Sequence, residues 1–336
     1  MNERDCYLGF SMANGIGPKK FGLLLQSFGS AEKAWKAKES ELEPILKPSL
    51  TAKFLSFRKE YDFGKYEKQF KKQKISLISL SDKEYPKLLK QIPNPPIVLY
   101  VKALRQAQGK VNLNDYQPAV AIVGTRHITN YGREITEIFA SDLARAGLIV
   151  VSGMALGVDA VAHKAAIDAN GKTIAVLGNG VDLPHPRENE KLYEEILDNG
   201  GAIISEYPPG MPPSAGSFPA RNRIVAGISD GVLVTEGASD SGSLITANFG
   251  FEFGRKVFAV PGPITSSLSK GPHSLIEKGA RLVTTAEEIL REFQISNLKF
   301  QISTKIDSSK LGSLLSIMEL KGLIKNLSDG NFGLMS

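Results

Sequence analysis

Six short apolar runs rich in β-branched residues recur through the middle of the chain: AVAIVG (119–124), LIVVSG (148–153), TIAVLG (173–178), AIISE (202–206), GVLVTE (231–236) and KVFAVPG (256–262). Helical patterns lie between them, as in Ile135, Ile138, Phe139 and Leu143, which the spacing assigns to one helical face. Near-continuous apolar strands need cover on both faces, and the intervening helices supply it. The pattern predicts an α/β fold, an open, doubly wound, mostly parallel, Rossmann-like sheet. ISLISL and PPIVLYVKA read as further strands and extend this core back to residue 76, giving a core of 76–292.

The flanks read differently. Residues 1–75 read as a small domain of short helices, in which Gly15-Ile16-Gly17-Pro18 precedes Phe21, Leu24 and Leu25 at helical spacing and Pro18 suits a first helical turn. Such a turn looks like half of a helix-hairpin-helix, whose free N–H groups meet a duplex phosphate; it also serves as a plain connection. FRKEYDFGKYEKQFKKQK is amphipathic and basic and reads as a solvated face. The polar stretch 103–118 reads as a surface linker. Residues 293–336, with Leu311, Leu314, Leu315, Met318 and Leu323 on one side, read as two small helices and a hairpin, a partial winged-helix-like domain. FQIS at 293–296 recurs at 300–303, which looks like an insertion.

Charge is distributed unevenly. Residues 1–118 carry 21 Lys and Arg against 12 Asp and Glu, residues 119–292 carry 15 against 20, and the whole chain is +6. An acidic middle that binds an anion must do so through local geometry. The strand ends offer that geometry: Gly124-Thr125-Arg126, Ser152-Gly153, Gly178-Asn179-Gly180, the Gly237 to Ser243 segment with Ser241, Gly242 and Ser243, and Pro261-Gly262. Glycine lets an anion approach the backbone, hydroxyls donate, and a following helix adds N–H groups and its dipole. Arg126, Arg221, Arg223 and Lys270 are the candidate cations. Arg221 and Arg223 are two apart and cannot share a helical face, so one of them could be structural, with Glu206 as a partner. Phe218, Tyr207 and Tyr131 are candidate platforms for unpaired bases.

Several classes are disfavoured. Cys6 is the single cysteine, and His127, His163, His185 and His273 are scattered, so neither a disulfide framework nor a zinc site is expected. GxGxxG and GxxxxGK[ST] segments are absent, no GxSxG elbow is expected, and no nucleophile or general base stands out. Asp159 and His163, four apart, read as a helix pair. The expectation is a cytoplasmic binding protein, not an enzyme, with no cofactor, no metal and no membrane partner.

AIVGTR, SGMALGVDAVAH, TIAVLGNGVD with the following HP and N, SEYPPG, FPARNRIVAGIS and TEGASDSGSLITANFGFEFGRKVFAVPG occur in an order that resembles the DNA-processing protein A family (DprA, also called Smf). The resemblance covers about residues 76–290. It implies a Rossmann-like core that binds single-stranded DNA without sequence specificity, a homodimer, and a mediator that helps load a RecA-type recombinase during DNA uptake. It places Gly124, Thr125 and Arg126 in the DNA pocket, with Phe218, Arg221, Asn222 and Arg223 from one motif and Ser241, Gly242, Ser243 and Thr246 from another. Ser152, Gly153 and Lys270 join them from the strand-end pattern. Thr125 stands where serine is usual in the family, Gly237 where alanine is common, and His273 where asparagine is expected. The alternative is a Rossmann-like nucleotide phosphoribohydrolase, whose glycine-rich loop TEGASDSGSLIT echoes without its paired glycines or its glutamate.

Overall fold

The computed structural model describes residues 2–103, 111–293, 324–326 and 332–334. Residues 1–296 form one compact unit and 297–336 a second. The first unit opens with α1 (Glu3–Met12), α2 (Pro18–Phe28), α3 (Ala31–Lys36), α4 (Glu39–Leu46), α5 (Pro48–Glu60) and α6 (Phe63–Lys72). α2 begins where the turn signal places it: Gly15 has φ +90°, Gly17 is the N-cap and Pro18 the first helical residue. Phe21 and Leu24 are buried beneath it.

β1 (Ser76–Ser79), α7 (Lys87–Lys90) and β2 (Val98–Lys102) lead into the alternating region. There follow β3 (Ala119–Val123), α8 (Asn130–Arg145), β4 (Ile149–Ser152), α9 (Val158–Asp168), β5 (Thr173–Val176), α10 (Glu190–Asp198) and β6 (Ala202–Ser205). Then come α11 (Ser217–Ile228), β7 (Gly231–Val234), α12 (Gly242–Glu252), β8 (Lys256–Ala259), α13 (Lys270–Glu277), β9 (Arg281–Leu282) and α14 (Ala286–Glu292). Each of the six apolar runs is a strand. They join a nine-stranded sheet of order β1-β2-β6-β5-β4-β3-β7-β8-β9. Pairing is parallel from β6 to β9, and β1 and β2 add antiparallel at the β6 edge.

Alternation along β3 shows why the runs are continuous. Ala119, Ala121 and Val123 pack with Ile224 and Val225 of α11 and Ala247 of α12, while Val120 and Ile122 pack with Phe139 and Leu143 of α8 on the other face. Ile138 departs from the predicted helix face: it is 46% exposed, one position away from the buried Phe139. A third core joins the N-terminal helices to Val98, Tyr100, Ala175, Leu177 and Ile203, so the helical region is packed on one end of the sheet.

In the second unit, β10 (Ile324–Asn326) and β11 (Phe332–Leu334) pair antiparallel, as the expected hairpin requires. The two expected helices with Leu311, Leu314, Leu315 and Met318, and residues 104–110 of the expected linker, lie outside the described residues. Among the described residues no helix is long and apolar enough to cross a membrane.

From β3 the strand order runs outward through β4, β5 and β6 on one side and through β7 and β8 on the other. Between β3 and β7 it reverses. In open α/β sheets the crevice beyond the carboxyl ends at such a reversal is where ligands are held, because the loops there diverge and leave a gap.

Candidate nucleic-acid interface

A cleft of about 650 Å³ opens at that reversal. The turns after β3, β4 and β7 and the start of α11 form its walls. It brings together Gly124, Thr125, Arg126, Gly153, Phe218, Arg221, Asn222, Ser241, Gly242, Ser243 and Thr246. A recess of about 110 Å³ adjoins it, sharing Arg126, Gly153, Phe218 and Arg221 and adding Leu156, His185 and Pro186.

One wall is an open helix end. Ser241 caps α12 by accepting from the Ser243 N–H at 3.3 Å, and the two hydroxyls lie 2.8 Å apart. A Cβ built on Gly242 would meet nothing within 4 Å, so the first turn of α12 faces free space. The Ser243 N–H is taken by this cap and the Leu244 N–H donates to the Ser241 carbonyl at 3.0 Å, which leaves the Gly242 N–H and the positive end of the dipole to favour an anion. Asn222 braces this wall, donating to the Gly242 carbonyl at 3.2 Å and accepting from Arg221 Nε at 3.2 Å.

The opposite wall carries the cation and the ring. Arg126 is exposed, with its guanidinium 5.7 Å from the centroid of the half-buried Phe218 ring. His185 stacks on Phe218 at 5.7 Å. The turn that presents Arg126 is fixed from below: the Thr125 N–H donates to the Glu236 carbonyl at 2.7 Å, and Thr125 Oγ1 accepts from the His127 N–H at 3.1 Å. Gly124 is required by close approach, since a Cβ there would lie 2.5 Å from Val158 Cγ2 and 2.6 Å from the Glu236 oxygen.

Other strand-end turns are already filled by the protein's own groups. Glu236, 4% exposed, sits at the N-terminus of α8 and accepts from the Thr129 N–H at 2.9 Å and from Thr129 Oγ1 at 2.7 Å. Asp159 is buried and accepts from the N–H groups of Gly153 at 3.1 Å and Ala155 at 3.3 Å. Burial pushes its carboxyl above the ordinary range, with Arg221 pulling the other way. Arg221, 4% exposed, lies on the cleft floor, where Nη1 donates to the carbonyls of Gly153, at 2.6 Å, and Val176. Its guanidinium occupies the space a Gly153 side chain would need. Burial lowers it to about 10, so it stays charged at neutral pH.

The profile of the DNA recombination-mediator protein A family matches residues 76–294. The chain belongs to this family. It is 37% identical over 294 residues to protein Smf of Synechocystis sp., covering 86% of this chain and 72% of that one. It is 42% identical over 267 residues to protein Smf of Escherichia coli, covering 77% and 69%. Among solved structures it resembles DNA processing protein A of Streptococcus pneumoniae, with TM-score 0.75, 34% identity, and coverage of 87% of this chain and 99% of that one. It also resembles the Helicobacter pylori DNA processing protein A described for its unique single-stranded DNA binding mode, with TM-score 0.57, 32% identity, and coverage of 66% and 95%.

Three residues that the family motifs and the strand-end pattern nominate lie outside the cleft. Ser152 is fully buried and donates to the Ile122 carbonyl at 2.7 Å, tying β4 to β3. Arg223 faces away from Arg221 and forms a two-pronged pair with Glu206 at 2.7 and 2.6 Å, so the Glu206 partnership belongs to Arg223. Lys270 is exposed at the start of α13, beside the Gly237 turn but off the cleft lining. Of the proposed platforms only Phe218 reaches the cleft. Tyr131 donates to the Pro261 carbonyl at 2.6 Å, and Tyr207 lines a separate groove by the Gly15–Pro18 turn.

Asp159 and His163 do not form the expected helix pair. Thr173 Oγ1 donates to the Val150 carbonyl at 2.7 Å, so His163 Nδ1 is the donor in its 2.6 Å bond to that hydroxyl. The turns after β5 and β8 also stay out of the cleft, and Asn179 closes the former by donating to the carbonyls of Gly180 at 3.0 Å and Leu183 at 2.6 Å. Sequence reasoning passed over Glu236, Asp240 and Ile245. Asp240 and Ile245 line the cleft and flank the Ser241 cap signal in sequence, which was the available clue.

Proposed function

We propose that this chain binds single-stranded DNA without sequence preference and acts as a recombination mediator, not an enzyme, helping a RecA-type recombinase onto the strand as DNA is taken up. The observation that carries this reading is the open cleft at the strand reversal, with Arg126 and the α12 N-terminus facing the same space beside the Phe218 ring. Backbone amides, hydroxyls and a guanidinium hold phosphates, and a ring stacks any base, so affinity comes without readout of base edges. Membership in the family and the Helicobacter pylori relative support the same reading. The homodimer is part of the proposal, supported by exposed apolar side chains at Ile264, 90% exposed, and at Leu282 on the edge strand β9. A duplex contact at the exposed Gly15–Gly17 turn and a cytoplasmic location are part of it too.

The phosphoribohydrolase alternative requires a carboxylate poised at the ribose. The position after Thr246, where that chemistry places its glutamate, is Ala247, and the acid beneath the cleft, Asp159, is held by two backbone N–H groups; the cleft's exposed acid, Asp240, lies before the α12 cap instead. Titration of single-stranded oligonucleotide at several salt concentrations tests the proposal. Neutralising about four to six phosphates gives a slope of log K against log salt of about −3 to −4, and Arg126→Ala flattens it by about 0.7 for every sequence alike. Salt-independent affinity, or release of free base from a nucleoside monophosphate, would overturn it.

A further inference from the structure

The acids around the cleft are not equivalent. Glu236 and Asp159 are buried and held by N–H donors. Asp240 is exposed, lines the cleft one residue before the α12 cap, and makes no ion pair with any described residue. A free carboxylate therefore shares the space into which Arg126 and the first turn of α12 would draw a phosphate.

We propose that Asp240 is a specificity-determining residue that admits the singly charged phosphodiesters of a strand interior and disfavours the doubly charged phosphate of a strand end or free nucleotide. The inference rests on the reading that the cleft holds a DNA strand. A helix end and a guanidinium alone would prefer a dianion to a monoanion, because each added charge gains attraction. A fixed carboxylate subtracts from that gain with every ligand charge. An internal phosphodiester carries one charge, whereas a terminal phosphate carries nearly two above its second pKa of about 6. At about 4 Å in water, one further unit charge beside a carboxylate weakens binding by a factor of about five. Both ligands offer phosphoryl oxygens to the same donors, the Gly242 N–H and the Ser241–Ser243 hydroxyl pair, so the discrimination lies in charge and not in which hydrogen bonds form. A strand threaded through its middle satisfies the site; a nucleoside monophosphate does not.

The test is competition against a labelled single strand, at pH 8, by ligands that offer no interior phosphodiester: thymidine 5′-phosphate, its singly charged methyl ester, and thymidine itself. The full chain should bind the methyl ester at least as tightly as the phosphate. Asp240→Asn should shift the ratio of the two affinities about fivefold toward the phosphate, and Asp240→Lys should shift it further. A ratio unchanged by Asp240→Asn would overturn the inference while leaving the DNA reading intact. So would tighter binding of the phosphate by the unaltered chain. Failure of the labelled strand to bind would instead remove the DNA reading, and this inference with it.

Discussion

The N-termini of α8 and α12 both follow a glycine-bearing turn at the carboxyl edge of the sheet, and they end up in opposite states. At α8 the carboxylate of Glu236 takes the place an anion would occupy, and it accepts from both the N–H and the hydroxyl of Thr129. At α12 the cap is a serine pair, Gly242 leaves the first turn open, and the nearby acid Asp240 is unbound. The same local signature thus builds a sealed support in one case and an open seat in the other. A glycine turn before a helix is a potential anion site, and the neighbouring strand decides whether the protein fills it itself.

The sharpest way to break this division between support and seat uses the two arginines of α11 and the β3 turn. Arg223→Ala leaves the half-buried Glu206 without its partner and should cost about 3 kcal/mol. The urea midpoint should fall accordingly while the salt slope for DNA keeps its wild-type value. Arg126→Ala should do the reverse, leaving unfolding within about 0.5 kcal/mol of the parent. A flattened slope in Arg223→Ala would return that residue to the DNA surface.

Next in size is Glu236→Ala, which removes a charged acceptor for two donors and should cost on the order of 2–3 kcal/mol. It also vacates the end of α8, so sulfate should raise the thermal midpoint of the variant more than that of the parent. An equal response in both would mean that the α8 end is not a latent seat.

Glycine substitutions sharpen the contrast further. Gly124→Ala forces a methyl group 2.5 Å from Val158 and should cost about 1–3 kcal/mol. Gly242→Ala enters open space and should change stability by less than about 0.5 kcal/mol. Similar unfolding curves for the two would contradict the assignment of one turn as packed and the other as open.

The smallest effect concerns pH. The folded state holds the Asp159 proton to higher pH than the unfolded chain, whose carboxyl has the ordinary value of 3.8. Ionisation therefore disfavours the folded state, and stability falls as pH rises through the window just above that value. Asp159→Asn should remove that part of the fall in a series of denaturant curves.

Much of the frame was legible in the residues. The six apolar runs became strands because side chains alternate between two covered faces, and burial on both faces leaves no room for a polar alternation. Pro18 and the Gly15–Gly17 turn marked the start of α2 for backbone reasons that hold in any context. The cleft was legible in part, because strand ends in a parallel sheet share one edge. Its membership was not. Arg221 and Arg223 differ in role because successive helix positions rotate by about 100°, which turns one under the cleft and the other toward Glu206. Ile138 next to Phe139, and Tyr207 beside a separate groove, were misplaced for the same reason: periodicity says which residues share a face but not what the face meets.

The order of elements, the two-sided burial of the strands and the glycine turns at their ends were set by the sequence alone, since each depends on residues near one another in the chain. Whether a turn is empty or occupied was decided only by the tertiary structure. Thr129 and the Glu236 that seals it are 107 residues apart, and the Arg221 that fills the Gly153 turn comes from 68 residues away. Only the pairing of β3 with β4 and β7 brings such distant groups within hydrogen-bond range.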